Sequence, residues 1–276
     1  MFPDCERTAS EAAAGCVLGG RYVVRERIGR GATAFVHRAT DLHTARDVSV
    51  KTPRPELRSD RREIAAIRRE ASIARRLQHP HLATCLDDGE FDGVPFIVCE
   101  LLDGASLRAY TGAGHVLAAE QVAELLAGVA SALAYMHAAG VVHADVKPGN
   151  LMFARCGVIK LIDLGSTHCL TAPGDYPRSA TPTYAAPEIL YGAPPDPRDD
   201  VYSLCVLAYQ LLMGRHPYHG DAPITGLEPS DPVCLSAAGW RWLRAGLSAS
   251  RAGRPSDPRE LVPAMRQSSR SASWLL

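Results

Sequence analysis

The segment VVHADVKPGN, residues 141–150, places His143, Asp145, Lys147 and Asn150 within ten positions. Residues of these types have complementary abilities: a carboxylate can take up a proton, an ammonium can neutralise an anion, and an amide oxygen can face a hard cation. Composition sharpens the observation. Among 276 residues there are twenty-seven arginines but three lysines, Lys51, Lys147 and Lys160, and one asparagine, Asn150. A G+C-rich coding bias accounts for that scarcity, but not for the placement. A compact, movable ammonium differs chemically from a rigid guanidinium fork, so Lys51, Lys147 and Asn150 are the first residues to weigh.

The elements around them divide the chain in two. From RYVVRERIG at 21–29 to FIVCELL at 96–102, short β-rich runs alternate with turns, and one helical pattern over 61–77 interrupts them. From about residue 118, Val122, Leu125, Leu126, Val129, Leu133 and Met136 recur at helical spacing, and Gly140 supplies a stop. The runs VVH, LMF and VIKLID between 141 and 163 predict small strands. A proline-rich stretch at 171–197 precedes further helices near 199–213 and 236–247, and QSSRSASWLL ends the chain as a tail.

Thirty basic and thirty acidic side chains give zero formal charge, which argues against a nucleic-acid or anionic-membrane footprint. The longest apolar run, about Val201 to Met213, is too short to cross a bilayer. With Asp4, Glu6 and Glu11 near its start the chain lacks the look of a secretory signal, and the expectation is a cytoplasmic protein with no membrane anchor. Eight cysteines without a C-x-x-C pair read as reduced thiols rather than a disulfide scaffold or zinc site.

The helix over 61–77 holds one anomaly. Ile64, Ile67, Ala71, Ala74 and Leu77 make an apolar stripe, with Arg68, Arg69, Arg75 and Arg76 opposite, either a solvated face or a docking surface for an acidic partner. Glu70 lies at the border of the buried stripe. Either it snorkels to water or it meets a cation, and Lys51, ending the strand-like DVSVK, is the lysine nearby. Breaking a buried pair of that kind costs roughly 3–5 kcal/mol although forming it gains little, so its purpose would be positioning.

Taken together these stretches resemble a eukaryotic-type (Hanks-type) serine/threonine protein kinase over about residues 20–266. IGRGATAFVHRAT resembles the glycine-rich loop, VSVK the strand whose lysine holds the α- and β-phosphates, and Glu70 the helix carboxylate that orients it. HADVKPGN resembles the catalytic loop, DLG at 163–165 the magnesium-binding tripeptide, and ATPTYAAPE the end of the activation segment. The resemblance implies an α+β, bilobal protein-kinase-like fold, with a small β-rich N-lobe carrying one main helix and a larger, mainly helical C-lobe. Its implied limits are an extension over 1–19, the N-lobe over 20–101, the C-lobe over 102–266 and a flexible tail over 267–276.

The same resemblance implies ATP and Mg2+ as cofactors and Ser/Thr hydroxyls of proteins as acceptors. Asp145, Lys147, Lys51 and Glu70 would be catalytic, with Asn150 and Asp163 holding the metal. Ile28, Gly29, Gly31, Val36, Ser49, Lys51, Cys99, Glu100, Leu102 and Met152 would bind the nucleotide, Cys99 controlling the rear of the adenine slot and Glu100 to Leu102 forming the hinge. Glu188 would pair with Arg254, Asp200 would tether the catalytic-loop backbone, and Thr181 would lie near the substrate hydroxyl. Lys147 matches the serine/threonine-directed branch. Autophosphorylation is expected among Ser166, Thr167, Thr171, Ser179, Thr181 and Thr183. His143 reads as a packing residue, and the adjacent His168 and Cys169 carry no assignment.

The sequence departs from the family pattern at several places. Ala34 replaces the third loop glycine, which would cost roughly 1 kcal/mol if the backbone there needed a positive φ. Ala144 replaces the arginine that grips a phosphorylated activation loop, implying weaker dependence on such phosphorylation. Leu164 and Ser49 are milder exchanges. Two rival readings share the motifs: a pseudokinase scaffold that binds nucleotide without efficient turnover, and a small-molecule phosphotransferase, which would lack TPTYAAPE.

Overall fold

The computed structural model describes residues 14–112, 114–154, 157–171, 181–218 and 228–266. Two units divide the chain: one runs to Gln78 and resumes over Ala83–Asp103, and the other holds His79–Leu82 and the chain from Gly104 onward. The class is α+β, with a small β-rich unit carrying one main helix and a larger, mainly helical unit. The expected tail over 267–276, and residues 1–13 of the expected extension, lie outside the described residues.

In the first unit six strands, β1 (Val17–Leu18), β2 (Tyr22–Arg30), β3 (Ala34–Asp41), β4 (Asp47–Pro53), β5 (Cys85–Phe91) and β6 (Val94–Glu100), form one antiparallel sheet in the order β1-β2-β3-β4-β6-β5. The sheet therefore begins at Val17, inside the stretch expected to be an extension. Two residues are too few to show an alternating pattern. The β5–β6 hairpin turns at Asp92 and Gly93, with φ of 51° and 76°, the double left-handed conformation that matches strand twist in a two-residue loop.

Strand alternation decides which way β4 presents its polar residues. Val48 and Val50 enter a core with Leu18, Tyr22, Val24, Ala39, Phe96 and Val98, so Ser49 and Lys51 face the other side of the sheet. On that side Ile97, the ladder partner of Lys51, packs with Ile67 and Ala71 of helix α1 (Arg61–Ala74). Asp60 caps α1 by accepting from the Arg62 N–H at 2.8 Å. The helix ends three residues short of the predicted 77, where Arg76 and Leu77 donate to carbonyls three residues back, the tightened last turn that satisfies terminal carbonyls. On its outer face Arg68 bonds Glu90 at 2.8 Å and Arg75 bonds Asp88 at 2.7 Å, so two of the arginines are matched within the chain.

Arg21 anchors the first hairpin, donating through Nε and Nη2 to the two oxygens of Asp41 at 2.7 Å each. The Arg21 guanidinium holds the Asp41 carboxyl well below the usual carboxylate range, helped by the His43 N–H and Thr44 hydroxyl. A carboxyl lowered by folding stabilises above its ordinary pKa and loses that effect as pH falls toward the folded value. Hence the Tm difference between the native chain and Asp41→Asn should be constant near neutrality and shrink below about pH 4. Thermal melts from pH 8 to 3 check this, and a difference that widened on acidification would overturn it.

In the second unit α3 (Ala119–Ala138) runs through the core. Val122, Leu126, Val129, Leu133 and Met136 are fully buried, as the spacing predicts, and Gly140 at φ 72° ends the run. Leu125 is only half-buried. Against α3 pack α5 (Pro197–Met213) and α7 (Leu261–Arg266), α6 (Ala237–Gly246) packs on those two, and α2 (Arg108–Gly112) and α4 (Pro187–Leu190) are short. Two short antiparallel pairs complete the unit: β8 (Leu151–Phe153) pairs with β9 (Ile159–Leu161), and β7 (Val141–Val142) with β10 (His168–Cys169). The polar segments 143–150 and 162–167 are thus loops strung between paired strands and fixed at both ends.

Candidate active site

In the first unit Lys51 Nζ lies 2.7 Å from Glu70 Oε1 and 2.8 Å from Oε2. The side chains are only 17% and 8% exposed, so Glu70 does not snorkel to water. The sheet alternation and the stripe of α1 bring both to one face, and each charge gives the other the partner that burial demands.

The glycine-rich segment turns at Gly31, whose N–H donates to the Ala34 carbonyl at 2.8 Å. Added Cβ atoms at Gly29 and Gly31 would stand 3.3 Å from Val36 Cβ and 3.4 Å from the Ala34 oxygen. Ala34 is buried in β3 opposite Pro53 and has no positive φ, so the condition for strain at the missing glycine is not met. Arg54 reaches back to the Ala32 carbonyl at 3.1 Å, and the Arg27 guanidinium lies over the Phe35 ring at 4.7 Å. The loop is pinned from its outer side.

Ser49 is tied to the end of β6. Its hydroxyl is 3.3 Å from the Cys99 carbonyl and 3.2 Å from that of Glu100. Glu100 also accepts the Thr84 N–H through its side chain at 2.7 Å. Ile28 is 47% exposed; Val36 and Leu102 are half-buried.

In the second unit the loop after β7 is built on Asp200. This fully buried carboxylate near the start of α5 accepts the N–H groups of His143 and Ala144 at 2.9 and 2.8 Å and is 2.8 Å from His137 Nε2. Burial pushes the Asp200 carboxyl up, but the bonds from His137 and the His143 backbone more than offset this and hold it below the ordinary value. Ala144 is forced to φ 62°, a left-handed conformation that costs a non-glycine residue roughly 1–2 kcal/mol. Ala144→Gly should therefore raise stability by about 0.5–1 kcal/mol after the added unfolded-state freedom of glycine. Thermal melts test this; a lower Tm would overturn it. His143 is fully buried, and its Nδ1 accepts the Asp145 N–H at 3.3 Å, a packing and hydrogen-bonding role.

Asp145 is the hub of this loop. Its Oδ2 accepts from Lys147 Nζ at 2.6 Å and Asn150 Nδ2 at 3.1 Å, and its Oδ1 from the Thr181 hydroxyl at 2.9 Å. Lys147 Nζ also lies 2.6 Å from Thr181 Oγ1. An aliphatic hydroxyl thus sits between a carboxylate and an ammonium. Around it Arg108, Thr111, Gly112, Pro148, Gly149, Thr183, Tyr184 and Gln210 line a cavity of about 420 Å³.

The Asn150 amide nitrogen bonds the Asp145 carbonyl at 2.9 Å as well, so both contacts to Asp145 are made by Nδ2 and not by Oδ1. The Ile162 N–H donates to the Asn150 carbonyl at 2.8 Å, extending the β8–β9 ladder and setting Asp163 just beyond Asn150. Asp163 is exposed, takes φ 64°, and accepts the Gly165 N–H on one oxygen at 3.2 Å. An amide oxygen at Asn150 and a carboxylate at Asp163, one residue past Ile162, are donor types that suit Mg2+, which is held through one or two carboxylates plus phosphate oxygens rather than by an all-protein cage. Met152 faces Ser106 across a bridge, where the approach of the chain requires Gly104: a Cβ there would stand 1.4 Å from the Phe153 oxygen.

Beneath the loop Arg254 Nη2 meets Glu188 at 2.7 Å and Nη1 meets Asp199 at 3.2 Å. Of the acceptor hydroxyls expected, Ser166 and Thr167 are buried, Thr167 donating to the Leu164 carbonyl at 2.7 Å. Burial removes these two from ready modification. Thr171 is exposed, Thr181 and Thr183 are half-buried, and Ser179 lies outside the described residues.

Sequence reasoning did not find His137, Arg251 or Cys85. Arg251 bonds Asp199 at 3.0 and 2.8 Å and donates its N–H to Glu188 at 2.9 Å. Two arginines in RAGR offer no signal for telling their partners apart. His137 in the last turn of α3 is a favourable place for a basic residue, but nothing local points it at Asp200.

A protein kinase domain family model matches residues 22–228. The chain is 40% identical over 219 residues to a probable serine/threonine-protein kinase of Streptomyces coelicolor, covering 75% of this chain and 32% of that protein. It is 35% identical over 216 residues to the serine/threonine-protein kinase PknB of Mycolicibacterium smegmatis, covering 75% and 35%. The chain thus spans about a third of the length of these relatives. The crystal structure of the Mycobacterium tuberculosis PknI kinase domain is similar with a TM-score of 0.74 at 28% identity, over 93% of this chain and 99% of that one.

Proposed function

This chain belongs to the protein kinase domain family, and from that membership and the geometry of its charged loops we propose that it transfers the γ-phosphate of ATP, with Mg2+, to serine or threonine hydroxyls of proteins. The observation that carries the reading is the Thr181 hydroxyl held 2.9 Å from Asp145 and 2.6 Å from Lys147. It stands in for a substrate hydroxyl.

In the proposed reaction the substrate hydroxyl lies against Asp145, which orients it and takes its proton as oxygen attacks the γ-phosphorus and ADP leaves. Lys147 offsets charge growing on the transferred group, a stabilisation that acts where the charge develops. Lys51, held by Glu70, fixes the α- and β-phosphates. Asn150 Oδ1 and Asp163 would hold Mg2+, which when bound neutralises phosphate charge. The nucleotide contacts fall to Ile28, Gly29, Gly31, Val36, Ser49, Cys99, Glu100, Leu102 and Met152. We place the boundary between the kinase lobes near residue 102 and the reaction in the cytoplasm, where ATP is available. No helix among the described residues is long and apolar enough to cross a membrane. Retention of Lys51, Asp145, Asn150 and Asp163 favours turnover over a scaffold role, and TPTYAAPE favours protein over small-molecule acceptors.

The test uses γ-labelled ATP with the chain itself and a generic basic protein. Label is expected on phosphoserine or phosphothreonine, is lost on chelation with EDTA and returns when Mg2+ is restored. Label confined to phosphotyrosine, or none at all, would sink the proposal.

A further inference from the structure

Cys85 and Cys99 stand directly opposite each other on β5 and β6. One position further along, the Glu100 N–H donates to the Thr84 carbonyl at 3.0 Å. Bonded and non-bonded pairs alternate along an antiparallel ladder, so the cysteines occupy a non-hydrogen-bonded pair, where Cα atoms are about 4.5 Å apart and side chains are closest. A disulfide accepts Cα separations of about 4.4–6.8 Å. Both pack against Ile67, Ala71 and Ile97, and the Cys85 Sγ lies 3.6 Å from the Asp87 carbonyl oxygen. Each is half-buried, and next to Cys85 the ladder register shifts at Leu86, which is 53% exposed. Their partial exposure gives a small reagent access to the pair.

We propose that Cys85 and Cys99 form a dithiol modification site that closes to an intrachain disulfide by exchange with small-molecule disulfides. The neighbouring Cys99 thiol holds the Cys85 thiol below its ordinary range, while Cys85 and burial push the Cys99 thiol well above its own. Cys85 is therefore the attacking sulfur, because the thiolate is the nucleophile. Its thiolate attacks one sulfur of the reagent, forming a mixed disulfide and releasing one thiolate, which takes up the proton that Cys85 gave. Cys99 then loses its proton, attacks the Cys85 sulfur and releases the second reagent thiol. Two protein thiols are oxidised and one small disulfide is reduced to two thiols. The sulfurs bear on Ile67 and Ala71, which flank Glu70 on α1, so the bond would form against the helix that presents that carboxylate to Lys51.

The experiment treats the native, reduced full chain with glutathione disulfide, alkylates the remaining thiols and maps the peptides. The expected product links Cys85 to Cys99, is reversed by dithiothreitol, and forms at least tenfold faster in the native chain than in urea. Cys99→Ser should accumulate a stable glutathione adduct on Cys85, and Cys85→Ser should slow reaction at Cys99. Stable adducts on both cysteines of the native chain without a link, both thiols recovered unreacted, or equal rates in native and unfolded chains would overturn the proposal. These readouts are covalent, so they stand apart from any result on phosphate transfer.

Discussion

Asp145→Asn is expected to lower kcat by about 10²–10⁴-fold, the range over which a positioned acid or base accelerates proton transfer. Asparagine keeps the volume and one oxygen, which can still accept from the Thr181 hydroxyl or from Lys147. It lacks the basicity to take the hydroxyl proton, and its amide turns a donor toward Lys147 or Thr181. Since Asp200 holds the backbone of the loop through His143 and Ala144, the fold should survive. The measurement is steady-state phosphorylation of a peptide beside nucleotide titration. Loss in kcat with nearly unchanged nucleotide affinity is expected, and a kcat within twofold of the native chain would remove Asp145 from its proposed role.

Arg254→Ala should be the most destabilising of the substitutions considered, by about 3–5 kcal/mol, the cost typical of removing one partner from a buried ion pair. The Arg254 side chain is fully buried. Besides Glu188 and Asp199 it donates to the carbonyls of Ser248 at 2.9 Å and Ala249 at 3.2 Å, and it lies over the Tyr202 ring. Burial already pushes the Asp199 carboxyl up, even with hydrogen bonds from the Asp196 N–H and Arg251. Removing Arg254 would leave that carboxylate less compensated and the Ser248 and Ala249 carbonyls without this donor. Urea unfolding would measure the loss, with Glu188→Gln as a milder companion because its carboxylate is 20% exposed. A cost below about 1 kcal/mol would mean that Arg251 alone suffices.

What the sequence made legible was whatever rests on rare residues or strong periodicity. Glu70 announced itself by breaking an apolar stripe, and the structure sets it against Lys51. The spacing of Val122 to Met136 marked α3, and the clustering of Asp145, Lys147 and Asn150 marked the loop that the two short strand pairs hold. Features that depend on which of several equivalent partners meet in space were not legible. Arg251 and Arg254 divide Glu188 and Asp199 between them, the Arg21, Asp41, Tyr22 and Asp87 network joins three strands, and Cys85 opposes Cys99 only because Leu86 shifts the register. The left-handed backbone at Ala144 was also unreadable, because alanine carries no mark of that conformation. There the buried carboxylate of Asp200, more than fifty residues away, sets the geometry.

The shortage of lysine has one more effect. Acylating enzymes and amine-directed reagents find three ε-amino groups in the whole chain. One is clasped by Glu70, and another is shared between Asp145 and Thr181. A carbonyl cap on the first would strip Glu70 of its counter-ion, and on the second would erase the cation beside the Thr181 hydroxyl. On the proposed roles of Lys51 and Lys147, acetylation at either address is expected to silence phosphate transfer.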